Sequence, residues 1–320
     1  MQLVRGRSAI AATLGRELRR PAIAIGNFDG VHRGHQALIA TARRLAASNG
    51  GEVMALTFDP HPARLLAPAL APPLITSLER RAELLGEAGA DVVVLEPFTH
   101  EFAAVQAEAF VSEVLQRDLR PASVVVGYDF SFGRGRRGDT AMLETLGAQH
   151  GFAVSIVRRV AVHGITCSST KVREFVLEGR VEGAEVLLGR PFEITGEVVR
   201  GAGRGRGIGF PTANIRPEGD LVPKPGIYAC RARILDGAPG GGDVALTRMA
   251  ALSIGTNPTF VSAGKVSVEA YLLDHEGDLY GKRLRLEVLT RLRDEQRFES
   301  VDALVAQIHA DVARTRELLA

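Results

Sequence analysis

The chain has 320 residues, more than one hydrophobic core usually holds, so two domains are expected. With 46% hydrophobic and 24% charged residues it belongs to the folded globular class, which excludes a disordered or fibrous protein. A net charge of +2, from 39 basic and 37 acidic residues, supplies no global field toward nucleic acid or a membrane, so any anion recognition has to be local.

The opening run MQLVRGRSAIAATLGRELRR is broken by charge where a signal peptide would be continuously apolar. No later stretch reaches the roughly 18 apolar residues of a membrane helix, so a cytoplasmic protein without a membrane partner is expected. From residue 22, short apolar runs alternate with longer amphipathic ones: AIAIG, HQALIATARRLAAS, EVMALTF, LERRAELLGEAG, DVVVLEP, AEAFVSEVLQRDL, SVVVG, TAMLETLGAQHG and FAVSIV. This alternation predicts strand and helix in turn. Continuous β-branched runs such as DVVVL suit strands covered on both faces, so the first half is expected to be a doubly wound, Rossmann-like α/β domain with a parallel sheet. Ligands of such sheets gather at the carboxyl ends of the strands. GNFDGVHRGH, TFDPHP and GYDFSFGRGRRGD each follow one of those ends, and the three loops are expected to converge on one site.

In the first loop, Gly26, Gly30 and Gly34 permit a sharp turn into a helix and close approach of a ligand to backbone N–H groups. His32 and His35, three apart at the helix start, share a face beside its positive end, with Asn27 and Asp29 in the same loop. Two such imidazoles can donate hydrogen bonds to phosphate oxygens as charge builds during displacement. The spacing and the missing carboxylate ligand argue against zinc. An H-x-G-H between strand and helix is the signature of nucleotidyltransferases that move an adenylyl group from ATP and release pyrophosphate; read alone, it also fits a plain turn. TFDPHP adds Phe58, Asp59 and His61, and GYDFSFGRGRRGD adds Tyr128, Asp129, Phe130, Phe132, Arg134, Arg136 and Arg137, a set suited to a planar ring carrying a phosphate. In CSSTKVR, the hydroxyls of Ser168, Ser169 and Thr170 can cap a helix whose first turn offers Lys171 and Arg173 to a polyphosphate; a capped surface helix is the bland alternative. The two cysteines, Cys167 and Cys230, have neither the number nor the spacing of a disulfide framework.

Beyond Gly189 the texture changes to short alternating segments, FEITGEVV, GIYACRARIL, MAALSIG, VSVEAYLL and RLRLEVLTRL, punctuated by glycine and proline. They predict a small closed antiparallel β-barrel, followed by an amphipathic α-helix capped by Ser300. The expected domains are therefore residues 1–188 and 189–320. DGAPGGGD reads as a turn-rich surface insertion. In GIGFPTANI, Gly207 and Gly209 allow a turn near phosphate, while the Thr212 hydroxyl and Asn214 carboxamide are hard oxygen ligands suited to Mg²⁺ on ATP; a turn entering a strand fits equally. Glu269, between apolar neighbours, either faces solvent or takes the proton of a hydroxyl attacking a γ-phosphate.

GNFDGVHRGH, TFDPHP, GYDFSFG, CSSTKVR, GFPTANI, IGTNPTF and VEAYLLD with GDLYG follow one another in an order that resembles the prokaryotic bifunctional riboflavin kinase/FAD synthetases, over nearly the whole chain. The resemblance implies that the C-terminal barrel phosphorylates riboflavin to FMN with ATP and Mg²⁺, and that the N-terminal domain adenylylates FMN to FAD. It implies catalytic roles for His32, His35 and Arg173 in adenylyl transfer and for Glu269 as the kinase base. ATP would be held by Gly26, Asn27, Phe28, Gly34, Asp129, Ser168, Thr170, Gly207, Gly209, Thr212 and Asn214, the last two with the metal, and flavin by Phe58, Asp59, His61, Tyr128 and Phe130. Cys167 stands where this family commonly has Ile, and DGAPGGGDVALTR lengthens a barrel loop. Chains with one surviving activity, another H-x-G-H nucleotidyltransferase, a class I aminoacyl-tRNA synthetase and an RNA-binding Arg-Gly protein are the alternatives. The last two would need a tRNA-binding region or longer basic tracts than this chain has.

Overall fold

In the computed structural model, which describes residues 1–201, 207, 209–235, 247–256 and 266–320, strand and helix alternate through the first half as the apolar runs predict. Six strands form one parallel sheet: β1 (Gln2–Arg5), β2 (Ala22–Ile25), β3 (Val53–Asp59), β4 (Val92–Pro97), β5 (Ser123–Gly127) and β6 (Ala153–Val157). Their order across the sheet is β1-β4-β3-β2-β5-β6. Burial alternates by residue and fills two cores. Ile23, Ile25, Met54, Leu56, Val92, Val94, Val124 and Val126 face one side. Ala22, Ala24, Val53, Ala55, Val93, Leu95 and Val125 face the other, against Leu38, Ile39 and Ala42 of helix α1 (Arg33–Asn49) and Ala82, Leu84 and Leu85 of helix α2 (Leu78–Glu87). Both faces being covered is what makes these strands apolar at consecutive positions.

The edge strand β1 lies inside the charged opening run, where no strand is legible by alternation. It pairs in parallel with β4, and Arg7 just beyond it reaches the buried Glu96 of β4. AEAFVSEVLQRDL is helical as expected, its later part Phe110–Leu119 wound in the wider π pattern. Helix α3 (Thr140–His150) is capped by Asp139, and the two-stranded ribbon β7 (Ala161–Val162) and β8 (Ile165–Thr166) precedes CSSTKVR.

Six antiparallel strands close the second half into a barrel of order β10-β13-β12-β11-β14-β9. They are β9 (Phe192–Val199), β10 (Ala213–Pro217), β11 (Gly226–Leu235), β12 (Thr247–Thr256), β13 (Val266–Leu272) and β14 (Arg283–Arg293). In β9 and β13 every second residue points into the barrel, the period-two pattern of a sheet with one covered face. The last helix, Val301–Leu319, begins at Ser300, whose side chain accepts the Ala303 N–H at 3.1 Å.

By packing, the chain divides into one unit of residues 1–72 and 78–168 and another of 73–77 and 169–320. Helices α4 (Ser169–Leu177) and α5 (Val181–Leu188) thus pack with the barrel. So does the short excursion 73–77, held by the Leu221 N–H on the Leu74 carbonyl at 3.2 Å. The insertion DGAPGGGD, part of GAGRGRG and the NPTF end of IGTNPTF lie outside the described residues.

Candidate functional site

Sheet order makes a crevice between β2 and β5. The chain leaves β2 for β3 on one side, whereas β5 continues to β6 on the other, so the loops behind β2 and β5 diverge. Leu56 and Thr57 at the end of the adjacent β3 fasten the first loop: the Gly26 N–H donates to the Leu56 carbonyl at 3.2 Å, and the Thr57 hydroxyl to the Asn27 carbonyl at 3.0 Å. Phe28, Gly30 and Val31 all have positive φ, at 49°, 83° and 41°. Non-glycine residues adopt that region at a cost, and here the burial of Phe28 and Val31 in the core holds them there. Asn27 is left exposed beside them.

His32 is the N-cap of α1: its Nδ1 accepts the His35 backbone N–H at 3.3 Å. That bond places the proton of a neutral His32 ring on Nε2, as a donor. The two imidazoles stack face to face, ring centroids 3.7 Å apart and planes 18° from parallel. Phe28 packs edge-on against His35 at 5.2 Å. His32 is buried, while His35 keeps part of its surface exposed with its Nδ1 inside and without a hydrogen-bond partner. Burial pushes the His35 imidazole well below its ordinary value, and the neighbouring His32 and Arg81 push it further the same way. At neutral pH His35 is therefore an uncharged ring. Gly34 lies in regular helix, so its role is space rather than conformation: its α-carbon passes under the His32 ring and close to the Cys167 carbonyl.

Several of the first domain's other expected residues stand at the carboxyl ends of β3 and β5. Phe58 and Asp59 end β3, and His61 caps the following turn with Nδ1 accepting the Ala63 N–H at 3.2 Å. Tyr128 and Asp129 are exposed just past β5, with the Arg159 guanidinium 4.9 Å from the Tyr128 ring centroid. Phe58 and Phe130 turn out to be parts of one aromatic chain, Phe58, Phe102, Phe110, Phe132 and Phe130, with successive centroids 5.4–6.3 Å apart. Phe102 and Phe110 carry no sequence signal, because they come from a different helical stretch. Ser168 ends the first packing unit, and Thr170 and Arg173 lie on α4 in the second. Arg173 is 9% exposed and donates from Nε to the Pro73 carbonyl at 2.7 Å.

On the barrel, register settles which residues meet. Asn214 of β10 lies directly opposite Glu269 of β13, and Glu269 opposite Ser253 of β12. Their neighbours Ala213, Ile215, Val268 and Ala270 point inward, so Asn214 and Glu269 share the outer face. The Thr212 hydroxyl donates to Glu269 Oε2 at 3.3 Å. Gly201 is the second glycine fixed by close approach: a Cβ there would fall 2.3 Å from Asn214 Nδ2. Gly207 and Gly209 face open space, and Gly209 has φ of 87°. Phe210 stacks edge-on against Tyr271 and His309 at 5.3 and 5.0 Å, tying this loop to β13 and the terminal helix. Among the described residues no three carboxylate, histidine or cysteine side chains are grouped to hold a metal, whereas Thr212, Asn214 and Glu269 form a cluster of hard oxygens. Such a set fits Mg²⁺ that arrives with its phosphates and keeps much of its water.

Family models describe the two halves separately: FAD synthetase matches residues 15–171 and riboflavin kinase matches residues 188–319. The bifunctional riboflavin kinase/FMN adenylyltransferase of Escherichia coli strain K12 is 39% identical over 295 residues, 92% of this chain and 91% of that one. The protein of the same name from Pseudomonas fluorescens is 39% identical over 320 residues, 100% of this chain and 98% of its own. The chain belongs to this bifunctional family. A solved structure described as a macrolide-efflux protein from Streptococcus pneumoniae also matches, with TM-score 0.84, 28% identity and 99% of each chain covered. That description applies to that protein; here no described helix is long and apolar enough to cross a membrane. Within the family frame, the stacked imidazoles fall in the FAD synthetase region, and Thr212, Asn214 and Glu269 in the riboflavin kinase region.

Proposed function

We propose that this chain makes FAD from riboflavin in two ATP-dependent steps, residues 189–320 phosphorylating riboflavin and residues 1–188 adenylylating the resulting FMN. The observation that supports it best is the presence, in one chain, of two separately built sites: a stacked imidazole pair at a helix start in the sheet crevice, and a threonine–asparagine–glutamate face on a barrel.

In the kinase step the ribityl 5′-hydroxyl attacks the γ-phosphorus of ATP, its proton passes to Glu269, and the bond to the β-phosphate oxygen breaks. Thr212 and Asn214 would hold the Mg²⁺ of ATP, which would supply charge neutralisation on the phosphates, and Gly207 and Gly209 would let backbone approach them. In the second step an FMN phosphate oxygen attacks the α-phosphorus and pyrophosphate leaves. A phosphate is already a nucleophile at neutral pH, so this site needs alignment and stabilisation of developing charge more than a base. His32 and His35 donate to the phosphate oxygens, Arg173 and the Ser168 and Thr170 hydroxyls meet the leaving polyphosphate, and Gly26, Asn27, Phe28, Gly34 and Asp129 shape the nucleotide pocket. Phe58, Asp59, His61, Tyr128 and Phe130 receive the flavin.

The partners are these small molecules, without nucleic acid or membrane, and the setting is the cytosol; the near-balanced charge and two buried free cysteines support both readings. Purified protein given riboflavin, ATP and Mg²⁺ and analysed by chromatography should accumulate FMN and then FAD. Conversion that stops at FMN would leave only the kinase reading, and no conversion would remove both.

A further inference from the structure

The loop GYDFSFGRGRRGD follows β5, and its arginines take no part in the reactions described above. Residues 132–138 are closed into a tight loop by Phe132 and Gly138, whose backbone groups exchange hydrogen bonds at 3.0 and 2.9 Å. The loop is pinned from outside as well. The Arg134 N–H donates to the Val105 carbonyl at 2.7 Å, and Gly133 passes so close to Ala107 that a Cβ would fall 2.6 Å from its α-carbon. Phe132 is buried with Phe130 stacked on it at 5.6 Å, while Arg134, Arg136 and Arg137 stand exposed at the tip.

Two more arginines join them. The Tyr128 N–H donates to the Val157 carbonyl at 3.1 Å, which sets the start of the loop beside the end of β6, where Arg158 and Arg159 follow, both exposed. The Arg159 guanidinium lies over the Tyr128 ring. Elsewhere in this domain Arg7, Arg16 and Arg80 are bound to carboxylates, but among the described residues none of these five has a carboxylate within ion-pair distance. Arg136 Nε donates to a neutral acceptor, Ser131 Oγ, at 2.7 Å. The carboxylates of the same loop are Asp129, exposed, and Asp139, which caps α3 by accepting the Met142 N–H at 2.8 Å. The patch is thus a local departure from a chain whose net charge is only +2. It lies on the carboxyl edge of β5 and β6, and β5 is the neighbour of β2, Ala24 facing Val125, so it borders the crevice of the histidine loop.

We propose that these five arginines form a cationic rim that draws anionic substrates into the adenylyl-transfer crevice and selects the phosphate-bearing flavin over neutral riboflavin. The inference deepens the adenylyl-transfer reading of that crevice and rests on it. Guanidinium groups without carboxylate partners keep their field, stay charged at any working pH and match phosphate oxygens. A cleft edged by one sign of charge raises the encounter rate of an oppositely charged ligand by roughly 10- to 1,000-fold. Riboflavin offers that field no charge, whereas FMN and ATP do, so the product of the kinase step is favoured at the second site over its substrate. A short loop at the edge of a substrate crevice, in a chain of balanced charge, favours small anions over nucleic acid.

The combined substitutions Arg134→Gln, Arg136→Gln and Arg137→Gln remove charge and keep polar side chains; Arg158→Gln with Arg159→Gln makes a second variant. Each should lower kcat/KM for FMN in FAD formation, the triple roughly 10-fold at low salt, with kcat at saturating substrates retained. Added KCl should lower kcat/KM steeply in the native protein and less in the variants, because screening removes what the substitutions have already removed. KM for ATP should rise in FAD formation and stay unchanged in riboflavin phosphorylation, where the same nucleotide is used at the other site. Lysine at positions 134, 136 and 137 should restore most of the loss. Native kcat/KM and salt dependence in the glutamine variants, a loss confined to kcat, or an equal effect on both reactions would overturn the proposal. Tight, salt-sensitive binding of single-stranded RNA with FMN kinetics unchanged would overturn it too, giving the patch to nucleic acid. Should the native protein make no FAD, the adenylyl-transfer reading fails, and equilibrium dialysis still tests the rim: the native protein should hold FMN more tightly than the triple variant, and equal affinity would overturn it.

Discussion

A methyl group on Gly34 would stand 2.9 Å from Cε1 of His32, closer than carbon atoms tolerate, so glycine at this position is what lets the His32 ring lie flat over the first turn of α1. Gly34→Ala should tilt that ring away from His35. Alanine is the better helix former by up to about 1 kcal/mol, so the fold should hold while FAD formation falls roughly 10- to 100-fold. Parallel assays of the two steps check it, because FMN formation should be untouched.

The barrel's chemistry should fail independently. Glu269→Gln keeps size and hydrogen bonding but not the base, and should slow riboflavin phosphorylation by about 10²- to 10⁴-fold with FAD formation from supplied FMN intact. Gly201→Ala should act through Asn214, whose carboxamide occupies the space the new methyl needs. Its signature should be a raised KM for ATP in the kinase step.

Acid should loosen the first domain earlier than ordinary carboxylate protonation would. His35 is held below its ordinary 6.5 by burial and by His32 and Arg81, so the unfolded chain binds a proton that the folded chain refuses. The stability this ring contributes is complete above that value and is lost progressively as pH falls below it. Asp118, held below its ordinary 3.8 by Arg117 and Arg7, loses its contribution only in stronger acid. Urea midpoints measured from pH 8 to 5 should therefore fall in the native protein and stay flatter in His35→Gln.

Two ion pairs attach the last helix, Arg316 with Asp274 and the more buried Arg293 with Asp311. Arg293 donates from Nε and Nη2 to the Asp311 carboxylate at 2.7–3.2 Å, and Asp311 is 7% exposed. Asp311→Ala takes the carboxylate from a partly buried guanidinium that keeps only neutral contacts, the Asp294 carbonyl at 2.9 Å and the Phe298 ring, and should cost about 3 kcal/mol. Removing the Ser300 cap by Ser300→Ala should cost about 1 kcal/mol. Both are read as shifts in the denaturant midpoint.

Much of this was legible in the chain because strand-end loops and period-two barrel strands are local patterns. The three loops behind β2, β3 and β5 stand on neighbouring strands, as their glycines and histidines suggest. Register explains the pairing of Asn214 with Glu269, but no spacing in sequence reveals it, since 54 residues and the two strands β11 and β12 separate them. The burial of Arg81 was hidden for a different reason: an arginine in an amphipathic helix reads as solvent-facing, and only tertiary packing turns it inward. Phe102 and Phe110 join Phe58 through space alone. Strand β1 escaped notice because an edge strand of four residues, half of it polar, has too little pattern to read.

Cross-complementation tests the central claim, that two independent sites act in sequence, most directly. His32→Ala supplied with riboflavin, ATP and Mg²⁺ should stop at FMN, Glu269→Ala should leave riboflavin unchanged, and the two mixed should make FAD, because FMN released by one variant feeds the other. A mixture that yields no FAD from two folded variants, or either variant alone losing both reactions, would contradict the account.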